Sequence, residues 1–341
     1  MPSLLNRRSL LGTAVSLPFA LAATHPALAA DQSITILIWG TTWQGVMKDI
    51  AASFTASTGI TVQVQTQTTS GESLVKLQAM KADPTVDVWF TTSSVAERSV
   101  KDTTLFADLP MAELGNTKDV DPSAMARCWV AAYGYPLGII YRPDMVTGTI
   151  TGWEDLWSEG FVNKIGAPAI SSYQARMLLI AALLNGGGID NIEPGFAKLK
   201  SWRKNIAFWY TSDAQSRKAL AQGEISVLIG PPGAAKALRD QGVKVEMISP
   251  KPAPQLYDVM TIVKTPKQQM AARFIDFVLS PQSQSLIANN LEEEPVNKLA
   301  QVPVHLKAEL AAPGNSVSFD ENVINANFDK WSNEFKQTVL E

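Results

Sequence analysis

The chain alternates short apolar runs with segments whose apolar residues recur every three or four positions. Residues 34–39 form a near-continuous apolar run, as a strand covered on both faces requires. Val46, Ile50, Ala51 and Phe54 then recur at helical spacing, and Thr58-Gly59 supplies the glycine that a left-handed helix cap uses. Ile60, Val62 and Val64 alternate as a second strand. Leu74, Leu77 and Met80 mark a second helix, and residues 86–90 a third strand that runs into Thr91-Thr92-Ser93-Ser94. This β-α-β-α-β order predicts a mostly parallel, doubly wound sheet.

A second cycle follows Tyr133. Trp153, Leu156 and Trp157 predict a short amphipathic helix and residues 165–169 a strand. Met177, Leu178, Ala181 and Leu184 predict a helix that Asn185-Gly186-Gly187-Gly188 stops. Helices are expected around Phe196, Leu199 and Trp202 and over 214–221, then a strand at 225–229. A helix through Leu238 and a strand on Val243, Val245 and Ile248 come next. Two stretches, 133–138 and the proline-rich 249–254, read as crossings between lobes, because proline can continue neither helix nor central strand. Beyond them lie a strand at 260–263 and a helix on Met270, Phe274, Phe277 and Val278. The expectation is an α/β protein of two doubly wound lobes, joined by a hinge with a ligand cleft between them. Lobe 1 takes residues 30–134 plus 256–296, and lobe 2 takes 135–255 plus 297–341.

Residues 1–29 read as a signal peptide. Arg7 and Arg8 form a basic head, an apolar stretch too short for a membrane span follows, and Ala27-Leu28-Ala29 is a small-x-small cleavage site. Asn6-Arg7-Arg8-Ser9-Leu10-Leu11 also resembles a twin-arginine signal, without the usual preceding Ser and following Lys. A periplasmic protein is expected. Loss of the two arginines takes 29 basic residues to 27 against 32 acidic ones, a net charge of −5, which suits neither nucleic acid nor an anionic membrane.

Chemistry is scarce. His25 and His305 are the only imidazoles and Cys128 the only thiol, so triad chemistry and thiolate or histidine metal sites lack raw material. There is no P-loop, no strand-linked GxGxxG and no GxSxG. Catalytic residues, cofactor and metal are therefore each expected to be none. Cys128 reads as a buried inert thiol, His305 as a surface residue, and Glu292-Glu293-Glu294 as a solvated face. Polar loops after strands are what the chain offers, and open α/β sheets bind ligands outside the carboxyl ends of their strands. Thr41, Thr42 and Trp43, then Thr92 and Ser93, then Ser171, Ser172 and Tyr173, and the loop opened by Gly230 are the candidates; each hydroxyl can equally cap a helix.

Further segments carry a resemblance. They are residues 52–60 with their Thr58-Gly59-Ile60 helix exit, Asp87-Val88-Trp89-Phe90, Gly152-Trp153-Glu154-Asp155-Leu156-Trp157, Gly223-Glu224-Ile225-Ser226-Val227, and Phe274-Ile275-Asp276-Phe277-Val278-Leu279-Ser280-Pro281. With them the chain resembles extracytoplasmic solute-binding proteins of ABC importers, in the spermidine/putrescine and ferric-iron branch. The resemblance implies a monomer that takes a small-molecule solute and delivers it to an inner-membrane permease. It places Asp258 at an amine-binding aspartate and Trp43 or Thr42 near a first-loop tryptophan. Gly230-Pro231 stands where a boxing Trp is expected, and Ser171-Ser172 where acids are expected. Tyr173, Tyr210 and Tyr257 are the tyrosines an iron site could use; a thiamine-type ligand or a role presenting ligand to a sensor stays open. The reading is a small polar organic solute, with Asp258 for an amine, Arg176 or Arg142 for a carboxylate, and Trp43, Trp209 or Tyr210 as walls.

Overall fold

The computed structural model describes residues 32–341 apart from Thr41, Thr103 and Pro313. The leader and the expectation for Thr41 lie outside the described residues. In β1 (Ser33–Trp39) the side chains of Ile34, Ile36 and Ile38 are wholly buried, and the strand pairs in parallel with both β2 (Thr61–Gln67) and β3 (Val88–Thr92). The same sheet takes in β4 (Met125–Ala126), β5 (Trp129–Pro136), β11 (Ala253–Ile262) and β12 (Ser316–Val317). Its order is β2-β1-β3-β11-β5-β4, with β12 joined to β11. The second sheet holds β6 (Gly138–Tyr141), β7 (Ile165–Pro168), β8 (Ile206–Tyr210), β9 (Val227–Gly230) and β10 (Glu246–Ile248), in the order β10-β6-β9-β7-β8.

Only the helix-linked strands keep the parallel arrangement. β11 runs antiparallel to both β3 and β5, and β6 antiparallel to both β9 and β10. The two sheets are therefore mixed rather than mostly parallel. The cause lies in the crossings: β5 passes to β6 through Leu137 alone, and β10 to β11 through residues 249–252. Neither has a helix to turn the chain back, so each strand enters its new sheet from the opposite end. The second crossing is pinned by Trp153, whose Nε1 donates to the carbonyls of Pro250 and Pro252 at 3.2 and 3.0 Å. Trp153 sits in the short helix expected there, which is a 3-10 turn, Trp153–Trp157.

The motif around Phe274 is a packing device. Phe54, from the helix Thr42–Thr58, meets Phe274 and Phe277 edge-on at 5.3 and 5.5 Å between ring centres. Asp276 instead accepts from the backbone and side chain of Asn116 at 2.8 and 2.9 Å. Ser280 caps the helix Pro281–Leu291, with Pro281 in its first turn. No helix among the described residues is long and apolar enough to cross a membrane.

From that helix Gln284, fully buried, donates to the carbonyls of Ala132 and Val278 at 2.8 and 3.0 Å and accepts from Val296 N–H at 2.7 Å. It ties β5 to the turn that follows the helix. Gln284→Leu keeps the volume but strands three buried backbone groups. It should lower unfolding free energy by about 3 kcal/mol, read as a lower urea midpoint at unchanged slope.

Candidate functional site

Asp258 is where β11 departs from regular pairing. It stands opposite Tyr133, while Val259 stands opposite Ala131, so β5 carries one extra residue, Ala132, at this bulge. Gln284 takes up the Ala132 carbonyl that the bulge leaves free. Asp258 is 7 % exposed, and two tyrosine hydroxyls donate to it, Tyr133 to Oδ2 at 2.7 Å and Tyr135 to Oδ1 at 3.4 Å. Burial pushes the Asp258 carboxyl up to about 7, and the two hydroxyls pull it back only in part. Burial also holds the Tyr133 and Tyr135 hydroxyls far above the usual tyrosine range, so they act as neutral donors.

A second carboxylate faces this one. Glu293 is 3 % exposed, and burial followed by the nearby Asp258 charge raises its carboxyl well above the ordinary range. The Gly233 N–H donates to it, and its Oε2 is buried with no hydrogen-bond partner. Pro231 and Pro232 have no N–H, so Gly233 offers the first free amide at the start of the helix Pro232–Arg239. A Cβ at 233 would displace the Glu293 carboxylate, so glycine lets that group come close to the helix start. The glutamate run is thus no solvated face: Glu292 and Glu293 are buried. Glu292 closes the Pro281–Leu291 helix with φ 55° and pairs with Arg239, which also binds Glu309. That left-handed cap turns Glu293 inward toward Asp258.

From the second sheet's side comes Tyr173. Its hydroxyl donates to Asp213 at 2.8 Å and its ring meets Tyr135 edge-on at 6.4 Å. Asp213 is open to solvent, yet the protein around it raises its carboxyl, against the pull of Tyr173 and Arg217. A crowded group still touched by water marks a concave surface. The neighbouring Gln174 reaches across, its Nε2 donating to Thr92 Oγ1 at 2.8 Å. Ser93 donates to Glu321 at 3.1 Å, and Arg176, 1 % exposed, pairs with the same oxygen at 2.5 Å. Arg176 is therefore a buried partner and no surface charge, and its Nε has no acceptor.

The other sequence candidates divide. Thr92 and Ser93 cap no helix and join this cluster, as does Tyr173. Trp43 is half-buried at the head of the helix begun by Thr42, with its Nε1 buried and unpartnered. Ser172 donates to the Tyr210 carbonyl at 3.1 Å, Tyr210 donates to the Ile229 carbonyl at 2.5 Å, and Gly230 lies against Ala234 and Ile140; these build the loop wall. Ser171 is exposed. Tyr257 points to the opposite side of β11 from Asp258, against Ser123 at 3.4 Å. Arg142 binds Asp144 and the Ala221 carbonyl, and Trp209 packs on Phe335; neither meets the acids. Cys128 is buried, and burial, then Asp108, raises its thiol to about 11. His305 is exposed beside Glu292 at 3.1 Å. Among the described residues no group of three His, Cys, Asp or Glu is placed to hold a metal ion.

Residues 49–313 match the model of the bacterial extracellular solute-binding proteins. The chain belongs to that family. It is 27 % identical over 318 residues to a γ-aminobutyric acid-binding protein of Pseudomonas aeruginosa, covering 87 % of each chain. Among solved structures it resembles a γ-aminobutyrate receptor at 25 % identity and TM-score 0.74, covering 89 % of this chain and 96 % of that one. The spermidine/putrescine-binding protein of a Streptococcus pneumoniae ABC transporter shares the fold at 20 % identity and TM-score 0.76, covering 90 % and 99 %. Like its family, this chain is an extracellular solute-binding protein.

The buried acids set the pH dependence of the ligand-free protein. Asp258 in the folded chain holds its proton up to about pH 7, whereas unfolded it loses it near the ordinary value of 3.8. The folded state therefore binds the extra proton between those values, and stability falls as pH rises through that window. Thermal melts from pH 4 to 8 should show a declining transition temperature. Asp258→Asn should flatten that decline, leaving the share due to Glu293.

Proposed function

We propose that the solute is a small primary amine, most narrowly an ω-amino acid of the γ-aminobutyrate kind, taken up with its ammonium between Asp258 and Glu293. The observation that carries this reading is the lone Glu293 Oε2, buried without a donor and close enough to Asp258 to feel its charge. That orphaned oxygen, beside an Asp258 carboxyl met only by neutral hydroxyls, calls for a donor with several N–H groups and a positive charge. An ammonium supplies both, and each charge-assisted bond is about twice as strong as a neutral one. Tyr133, Tyr135 and Tyr173 offer ring faces around it. Arg176 is the cationic pole for a solute carboxylate. The relatives that bind γ-aminobutyrate by name support the same choice. A polyamine is the second reading, favoured by a third carboxylate, Asp213, in the same cluster.

The rest of the reading extends the family's role. Residues 30–134 plus 256–296 and 135–255 plus 297–341 act as two lobes that close on the solute about the crossings. The chain works as a monomer with an inner-membrane permease. Residues 1–29 direct export, and N-terminal sequencing of the periplasmic form should begin at Ala30. Export blocked by changing both Arg7 and Arg8 to Lys would mark the twin-arginine route.

Isothermal titration with γ-aminobutyrate, putrescine and spermidine decides among the solutes. γ-Aminobutyrate should bind most tightly, and preference for spermidine would overturn the amino-acid reading. Asp258→Asn should weaken it about a hundredfold, as loss of one partner in a buried charge pair does. Below about pH 7 the Asp258 carboxyl is protonated and uncharged. Affinity should therefore rise about thirtyfold from pH 5.5 to 8, with protons released on binding at the acid end.

A further inference from the structure

Tyr173, Gln174 and Ala175 have φ of 50°, 51° and 61°, three consecutive non-glycine residues in the left-handed region. L-residues visit that region singly, because Cβ crowds the following carbonyl, and each further one adds strain. Such a turn persists only where its surroundings over-determine it. Locally, Ala175 N–H donates to the Ile170 carbonyl at 2.9 Å and Arg176 to the Gln174 carbonyl at 3.1 Å. The remaining tethers leave the segment. Tyr173 packs on Tyr135 of β5, and Gln174 donates to Thr92 at the end of β3. Tyr135 and Thr92 belong to the first sheet, whereas the turn follows β7 of the second, where Tyr173 also donates to Asp213 at 2.8 Å.

We propose that Gln174 is an affinity-determining residue of the solute site, acting as a positioning group: its bond to Thr92 holds the left-handed turn, and the turn is strained only while the two sheets are together. Separation of the sheets removes Thr92 and Tyr135 from the turn and lets residues 173–175 relax. The strain then opposes closure, the Gln174–Thr92 bond favours it, and their difference sets how fast a captured solute escapes. Arg176 and Tyr173 take their places from the same backbone, so the turn also aims two side chains of the proposed site. This rests on the two-lobe reading and is independent of which solute is bound.

The two contributions have opposite signs, which makes them separable. Gln174→Ala and Thr92→Val each remove the cross-sheet bond and keep the strain. Ala175→Gly keeps both side-chain contacts and removes strain at a position where glycine is also an acceptable helix cap. Spin labels at Glu72→Cys and Lys218→Cys, exposed residues on helices beside the two sheets, report the separation, and the buried Cys128 stays unlabelled. In the ligand-free protein, pulsed spin-resonance distances should lengthen in Gln174→Ala and Thr92→Val and shorten in Ala175→Gly. With γ-aminobutyrate as probe, stopped-flow release should speed up about tenfold in the first two and slow about fivefold in the third, association staying within about twofold. The double variant Gln174→Ala/Thr92→Val should be no worse than either single one. Unchanged distances, or shifts of all three variants in one direction, would overturn the proposal. Failure of the wild-type protein to bind γ-aminobutyrate would sink the amine reading alone, since the distance measurements need no ligand.

Discussion

The site is organised by one carboxylate that the fold has taken out of water without giving it a cation. Asp258 lies within β11, between β3 and β5 in its sheet, and is met by two neutral hydroxyls. Burying an ion in this way costs several kcal/mol unless charge and hydrogen bonds compensate. Two tyrosine donors satisfy the lone pairs but leave the charge, so the ligand-free protein answers by protonation and its carboxyl moves up to about 7. The bulge at Ala132, the buried Gln284 that satisfies it, and the turn bringing Glu293 alongside are the supports needed to hold that arrangement. A molecule that supplies a positive charge at this point recovers what burial has withheld, and binding draws on a cost already met in folding.

Periodicity carried the sequence reading through the helix-linked strands, because there a residue's environment follows from its neighbours three or four positions away. The polar loops at strand ends were legible for a similar reason: Thr92, Ser93 and Tyr173 stand at or after the carboxyl ends of β3 and β7. Tyr133 and Tyr135 were read as part of a crossing. Their spacing of two within a strand puts both on one face, which was the signal available for pairing them with Asp258. Glu293 was out of reach. Three consecutive glutamates read as solvent-exposed, since charged residues are seldom buried. Their burial depends on a left-handed residue at Glu292 and on Arg239, 53 positions away in sequence. The helix Glu321–Phe335 was likewise not anticipated, although Glu321 and Asn325 join it to Ser93, Ser94 and Arg176. Such polar ties between distant segments leave no periodic trace.

The same field that favours an ammonium disfavours phenolate chemistry at these tyrosines. Tyr133, Tyr135 and Tyr173 each donate their proton to a carboxylate, and burial with nearby negative charge raises all three hydroxyls far above neutrality. Among the described residues the buried cation is Arg176, and it is paired with Glu321. Tyr257, which an iron site could also have used, lies on the other side of β11 against Ser123. Protonated tyrosines, raised carboxyls and an orphaned carboxylate oxygen are the features that the proposed solute, bringing protons and positive charge together, would answer. On the amine reading proposed above, specificity comes from where that charge must end, at Glu293 and Asp258.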